Sequence, residues 1–222
     1  MQLEYSISND VYAFTALREE QIPCEVIVAH QVHGNAVAVV DRPGISRGEL
    51  EGYDALVTNL RNVSIGVRTA DCIPIFLYDR KRKAVAAIHS GWKGTLQRIS
   101  HSTLLMMRSS FGTIPEDVDA VIGPGICVGC YQIGEEIANV YKETGFPINL
   151  VYQWCGGKID GDISTGHHLD LVAANRWLLE QAGVRPERIT ESGICTYEDK
   201  RLYSARREGS ECGRNINAIM LL

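Results

Sequence analysis

A thiol and two imidazoles are the residues of this chain best equipped for chemistry. Cys72 follows Asp71, His89 lies 17 residues further on, and His33 sits in the turn Gln31-Val32-His33-Gly34-Asn35. One cysteine and two histidines make a sound zinc set, because three protein ligands leave a fourth position for water. Zinc would hold the thiolate deprotonated and lower the pKa of a bound water towards about 7. Asp71 points away from Cys72 on an extended chain, where it would orient a ligand or carry a proton at the pocket edge. The same residues also suit a buried thiol with two hydrogen-bonded histidines. Their spacings match no compact zinc-finger pattern, so the metal reading depends on convergence in space.

The stretch 66–95 would produce part of that convergence. Residues 73–78 and 84–89 read as strands joined by a charged turn, 79–83. A hairpin this tight sets the start of its first strand beside the end of its second, and so Cys72 beside His89. Val85, Ala87 and His89 alternate with Ala86, Ile88 and Ser90, which suits a half-buried strand. His33 lies between two further strand-like runs, 25–30 and 36–40. Other short strands are expected at 12–15, 53–58, 63–67, 118–122, 150–154, 194–197, 202–204 and 216–222. Helices are expected from Gly94 to about Ser109, over 133–143, and from an Asp170 cap to a Gly183 stop. Many short strands with about three helices predict one α+β domain over 1–222.

Several other motifs deserve a reading. Cys127 and Cys130 form a CxxC with no second CxxC nearby, so a structural or incidental role is expected. His167-His168, in a polar loop at a helix start, reads as solvated, and His30 as a hydrogen-bonded strand histidine. Gly91-Trp92-Lys93-Gly94 opens a helix whose free N–H groups, with Lys93, would receive an anion. The same glycines would equally serve only to let the chain turn.

Composition narrows the function classes. The chain has 222 residues, 45% apolar, with net charge -5, which argues against an extended basic face for nucleic acid. No apolar run approaches the roughly 18 residues that span a bilayer. The start, MQLEYSISND, lacks the basic-then-apolar profile of a signal peptide, so a cytoplasmic location is expected. Seven cysteines spread over the chain read as free thiols or metal ligands sooner than as a disulfide framework.

Six segments occur in order: QVHG at 31–34, DALVT at 54–58, TADCIP at 69–74, HSGWKGT at 89–95, CYQIGEEI at 130–137 and SARREGSECGR at 204–214. Together they resemble the YfiH-like, laccase-domain or "multicopper polyphenol oxidase" family, whose members are described as purine nucleoside phosphorylases with adenosine deaminase side activity. The resemblance implies a β-sandwich core, built of mixed sheets and flanked by helices. It also implies zinc on His33, Cys72 and His89. Two departures stand out. Leu17 falls where the family's N-terminal arginine is expected, with Arg18 adjacent, and the glycine-rich stretch that usually follows is missing. In the GPGICVGCY loop, Gly125 replaces the first family cysteine.

The resemblance makes a purine nucleoside and phosphate the expected small-molecule partners, with neither nucleic acid nor membrane. In deamination a zinc-activated water attacks C6 of adenine while a carboxylate such as Asp71 shuttles the proton. Phosphorolysis needs an anion site, for which Lys93, Arg206 and Arg207 are candidates; Arg206 and Arg207 would also suit a solvated basic turn. Asp71 and Cys72 are the expected catalytic pair. Six histidines with no His-x-His cannot build a four-copper blue oxidase centre. A single Cu²⁺ on the Cys/His₂ set is the alternative, because Cu²⁺ outcompetes Zn²⁺ for most such ligands, and it implies polyphenol oxidation. A non-catalytic binding module and a cysteine hydrolase, with Cys72 as nucleophile and His89 as base, complete the field.

Overall fold

Two mixed sheets packed face to face form the centre of the computed structural model, which describes residues 2–157, 159 and 161–222. The first sheet runs Gln2–Glu4, Val11–Ala16, Asn215–Leu221, Ser64–Thr69, Ile27–Val28. The second runs Ile189–Glu191, Val118–Ile122, Ile73–Asp79, Ala84–Ser90, Ala55–Thr58, Val37–Val39. A small third sheet joins Gln132–Ile133, His167–Leu169 and Tyr152–Trp154. The fold is therefore the expected α+β arrangement, a sandwich flanked by helices. Lys158 and Asp160, in the 155–166 stretch read as a loop, lie outside the described residues. Among the described residues, no helix is long and apolar enough to cross a membrane.

The 73–90 hairpin lies at the middle of the second sheet, in the register Ile73↔Ser90 and Pro74↔His89. It is not half-buried: all of Ile73–Asp79 and Ala84–Ser90 is buried. Period-2 alternation sends Phe76, Tyr78, Val85 and Ala87 into the core between the sheets, against Val11, Ala13, Ile65 and Ile219. Ile73, Ile75, Leu77, Ala86 and Ile88 face the other way, onto helices Ile99–Phe111 and Leu171–Gln181. A strand covered on both faces buries both of its alternating sets of side chains, so period 2 here separates two buried faces and not an inside from an outside.

Several expected elements change at their ends. The helix expected over 94–109 is two helices, Trp92–Leu96 and Ile99–Phe111. The break falls at Arg98, at φ +60°, whose guanidinium lies 5.5 Å from the ring centres of both Phe146 and Trp177. Burial of Thr95 fixes the first turn: its hydroxyl meets Ser90 Oγ at 2.9 Å and Asn175 Nδ2 at 3.1 Å. Gly134 caps Glu135–Glu143, and Ile133 belongs to a strand instead. Residues 148–151 turn helically before the strand Tyr152–Trp154. The run 25–30 is reduced to Ile27–Val28, and 194–197 and 202–204 form no strand; the edge position belongs to Ile189–Glu191. Asp170 does cap its helix, accepting from the Ala173 N–H at 2.8 Å, and Gly183 follows it at φ +98°. Such short edge segments carry too few residues for periodicity to register.

Packing on the helix-facing side should dominate stability. Ile75→Ala, at a fully buried position, is expected to cost about 2–5 kcal/mol. Leu105→Ala, at a position 53% exposed on the same side of the molecule, should stay within ~0.5 kcal/mol. Urea unfolding monitored by tryptophan fluorescence measures both.

Candidate functional site

The backbone crosses from the first sheet to the second between Thr69 and Ile73, so Ala70, Asp71 and Cys72 span the end of the sandwich. There they line a cleft of about 780 Å³ together with His33, His89, Tyr131 and Arg206. Hairpin register places Cys72 beside His89, as the sequence implies. His33 joins them: the donor atoms of His33, Cys72 and His89 lie within 4.8 Å of one another, and the two imidazoles meet edge-on at 4.7 Å. Gly91 makes this approach feasible, because a Cβ there would come 2.8 Å from Cys72 Sγ and 3.3 Å from the His33 ring.

Asp54, to which sequence pattern assigns no role, sets the positions of both imidazoles. It stands one residue before Ala55–Thr58, whose register puts Ala55 opposite Ile88 and hence Asp54 opposite His89. His89 Nδ1 lies 2.7 Å from Asp54 Oδ1, which leaves Nε2 to face Cys72. The backbone N–H groups of Val32, His33 and Gly34 donate to the same carboxylate at 3.2, 2.9 and 2.7 Å. Three successive N–H groups converging on one anion form a nest. His33 adopts φ +63° to close it. Burial works against ionisation of Asp54, yet His89 and these amides hold it below the ordinary carboxylate range. One signal was available: an acidic residue heading the apolar run Ala55-Leu56-Val57.

Charge on Cys72 and His89 is coupled. Burial disfavours the thiolate, but the His89 charge and bonds from both imidazoles win and bring Cys72 down to about 6. Burial likewise disfavours the imidazolium, but Cys72 and Asp54 raise His89 to about 9. Without a metal the pair is thus a thiolate and an imidazolium at neutral pH. The stability His89 loses as pH rises from 6.5 to about 9 is offset by what Cys72 gains from about 6 to 9, so the two slopes cancel across that window.

Asp71 is buried and held at φ +88°, a left-handed conformation that costs a non-glycine residue on the order of 1–3 kcal/mol. The surroundings enforce it. Its Oδ1 accepts from the Thr196 hydroxyl at 2.7 Å, its Oδ2 from the Arg206 backbone N–H at 2.6 Å, and its carbonyl from the Ile126 N–H at 2.9 Å.

Cationic groups around the cleft differ from those expected. Arg206 lines it, its guanidinium donating to the Gln132 and Cys130 carbonyls and lying 5.4 Å from the centre of the Tyr131 ring. Lys93 does not line it; it is exposed, 5.5 Å from its neighbour Trp92, on a helix of only five residues. Arg207 is tied to the carbonyls of Thr196, Tyr197 and Leu202. Arg18 stacks on Tyr203 and pairs with Glu208 at 2.5 Å, so neither it nor Leu17 reaches the cleft. Arg47, Arg68 and Arg214, unassigned from sequence, line it instead. Among the described residues none of these three, nor Arg206, has a carboxylate partner. Burial first, then repulsion from Arg47 and Arg214, lowers the pKa of Arg68, and its buried Nε has no hydrogen-bond partner.

The remaining histidines also correct the reading. His30 is exposed and lines the cleft. His168 is fully buried in a strand, its ring nitrogens 2.8 and 3.1 Å from the Val128 and Thr165 carbonyls. The CxxC is not isolated either: Cys195 and Glu198 bring their donor atoms within 4.8 Å of those of Cys127 and Cys130.

In metal-stripped protein, Cys72 should lose its proton as pH rises through about 6. Its alkylation by iodoacetamide should therefore climb there and level off near neutrality, and zinc should suppress it. Burial pushes Cys127 and Cys130 up, so they should react only at higher pH. Peptide mass spectrometry across a pH series separates the sites; a Cys72 midpoint near 9 would show that the imidazole coupling is absent.

Solved structures share this architecture. The crystal structure of YlmD from Geobacillus stearothermophilus superimposes with TM-score 0.83 over 98% of this chain and 94% of that one, at 23% identity. That of the hypothetical protein YfiH from Bacillus licheniformis gives 0.82 over 96% and 94%, at 24%. At that identity they show the fold alone. Closer in sequence, a protein of Bacteroides thetaiotaomicron named purine nucleoside phosphorylase is 36% identical over 208 residues, 90% of this chain and 75% of its own length. A protein named adenosine deaminase RL5, from an unknown prokaryotic organism, is 37% identical over 203 residues, 88% of this chain and 74% of its own. Residues 11–222 match the family model described as multi-copper polyphenol oxidoreductase laccase, and the chain belongs to that family, the YfiH-like group its motifs resemble.

Proposed function

We propose that this chain is a zinc-dependent purine nucleoside phosphorylase acting on adenosine, inosine and methylthioadenosine, with adenosine deaminase activity in the same cleft. One observation carries the reading: His33, Cys72 and His89 converge in a cleft that also holds a buried carboxylate, an aromatic ring and four arginines that, among the described residues, have no carboxylate partner. The relatives named for these two activities support it.

The donor set fits zinc: one thiolate, two imidazoles and a carboxylate that orients one of them. Zinc held by His33, Cys72 and His89 would supply a Lewis acid and an activated water. Asp54 keeps His89 in the tautomer whose Nε2 faces the cleft. Asp71, held at both oxygens by Thr196 and Arg206, is placed to take a proton from the water whose oxygen bonds to C6 and to pass it to the purine, the C6–N bond then breaking to release ammonia. In phosphorolysis a phosphate oxygen bonds to the ribose C1′ as the C1′–N9 bond breaks, and the departing purine takes up a proton. Arg68 and Arg206, with Arg47 and Arg214, provide the positive field for that phosphate. The half-buried ring of Tyr131, which lines the cleft, offers a stacking surface for the base.

Chromatography of adenosine and inosine incubated with the protein, with and without phosphate, tests the reading. Hypoxanthine from inosine only when phosphate is present marks phosphorolysis, and inosine from adenosine regardless of phosphate marks deamination. Asp71→Asn should remove most of either activity. Asp54→Asn should weaken zinc affinity about 10–100-fold, measured by chelator competition. If neither nucleoside is consumed and copper-loaded protein oxidises phenols in a Cys72-dependent way, the polyphenol oxidase reading replaces this one.

A further inference from the structure

Away from the three cleft ligands, Cys127, Cys130, Cys195 and Glu198 gather from two segments 68 residues apart. All four donor atoms lie within 4.8 Å of one another. Cys130 Sγ is 3.8 Å from Glu198 Oε1. Ligand atoms around a tetrahedral zinc, with Zn–S near 2.3 Å, stand roughly 3.8 Å apart. The Cys127 backbone N–H donates to Cys195 Sγ at 3.3 Å, and an amide aimed at sulfur stabilises thiolate charge.

The backbone is organised to hold this geometry. Val128–Cys130 is a tight 3₁₀ turn, with the Cys130 and Tyr131 N–H groups both returning to the Cys127 carbonyl at 3.1 and 3.0 Å. Gly125 and Cys195 form a parallel bridge. The Thr196 N–H donates to the Gly125 carbonyl at 3.0 Å, and the Gly125 N–H to that of Ile194 at 3.3 Å. Cys130 and Cys195 are buried against Ile126, with Tyr131 and Tyr197 packed alongside. All seven cysteines are free thiols. A disulfide would use two of these three sulfurs and leave the third and the carboxylate unused, whereas one ion uses all four.

We infer that Cys127, Cys130, Cys195 and Glu198 bind a structural zinc ion, a closed four-ligand site that locks residues 125–131 to residues 194–199. Three thiolates select a thiophilic ion, and four protein ligands leave no position for water or substrate. The consequence reaches the cleft. Tyr131 follows Cys130, the Cys130 carbonyl accepts from Arg206, and Thr196, next to Cys195, holds Asp71. The ion thus fixes two walls of the cleft without touching its contents.

Metal analysis of variants tests this independently of the reaction. Protein purified without added metal should carry about two zinc ions per chain, one at each site. Cys72→Ser should keep about one, and cobalt-loaded Cys72→Ser should still show thiolate-to-metal charge transfer in the near ultraviolet. Cys195→Ser should lose the other ion. Glu198→Gln, a milder change at an exposed position, should keep its circular dichroism yet release zinc to a chelator faster than wild type. If wild-type protein turns over no nucleoside while Cys72→Ser still retains its zinc, this site stands and the proposed function falls. A folded Cys72→Ser protein without zinc or cobalt, whose Cys127, Cys130 and Cys195 alkylate freely, overturns the inference. A disulfide among those three in unreduced wild-type protein does the same.

Discussion

The cleft is built on one buried carboxylate. Asp54 has no exposed surface, and a charge in that position survives only if it is fully paired. The structure meets this requirement with three backbone amides from the 32–34 turn and with His89. Each partner carries a ligand into place: the turn brings His33, and the imidazole is itself the second ligand. Because Asp54 and His89 occupy facing positions on adjacent strands of the second sheet, the distance between the two histidines is tied to a strand register. A one-residue slip would turn Asp54 to the other face and dismantle the arrangement.

Around that anchor the cleft lining holds more cations than anions, Asp71 and Glu211 being its acidic groups. The chain is net acidic, yet four arginines converge on the cleft. Arg68 pairs across the first sheet with Ile216, and Arg214 precedes that same strand, so a single strand pairing sets them near each other. Their mutual repulsion is an energetic cost that an anion would relieve. Asp71, at φ +88° and hydrogen-bonded from three directions, lines the same cleft next to Cys72. Backbone strain persists only where the surroundings over-determine it, and here the contacts from Thr196, Arg206 and Ile126 do so.

Much of the fold was present in the sequence as pattern. The 73–90 hairpin, the 118–122 strand and the Asp170-capped helix emerge close to where apolar runs, a charged turn and a cap residue place them. Burial of the hairpin on both faces did not emerge, since period-2 alternation does not say whether the second face meets solvent or is covered by helices. Nor did the break at Arg98, where two aromatic rings from other elements outweigh a continuous helical periodicity. The edge strand Ile189–Glu191 has only three residues, and its pairing with Val118–Ile122 defines it more than its composition does.

The site divides along the same line. The sequence by itself determined that Cys72 and His89 adjoin, because a short turn between antiparallel strands leaves no other geometry, and it placed a third imidazole in a turn between strands. It could not determine that Asp54 holds both histidines, that Arg47, Arg68 and Arg214 and not Lys93 face the cleft, or that Cys195 and Glu198 complete the CxxC. Those relations link residues that are distant along the chain, and they exist only once sheet order, register and the crossing from one sheet to the other are set. Local preference fixes the contents of each element. Which side chains meet is fixed by pairing between elements, and only the burial of the whole core selects that pairing.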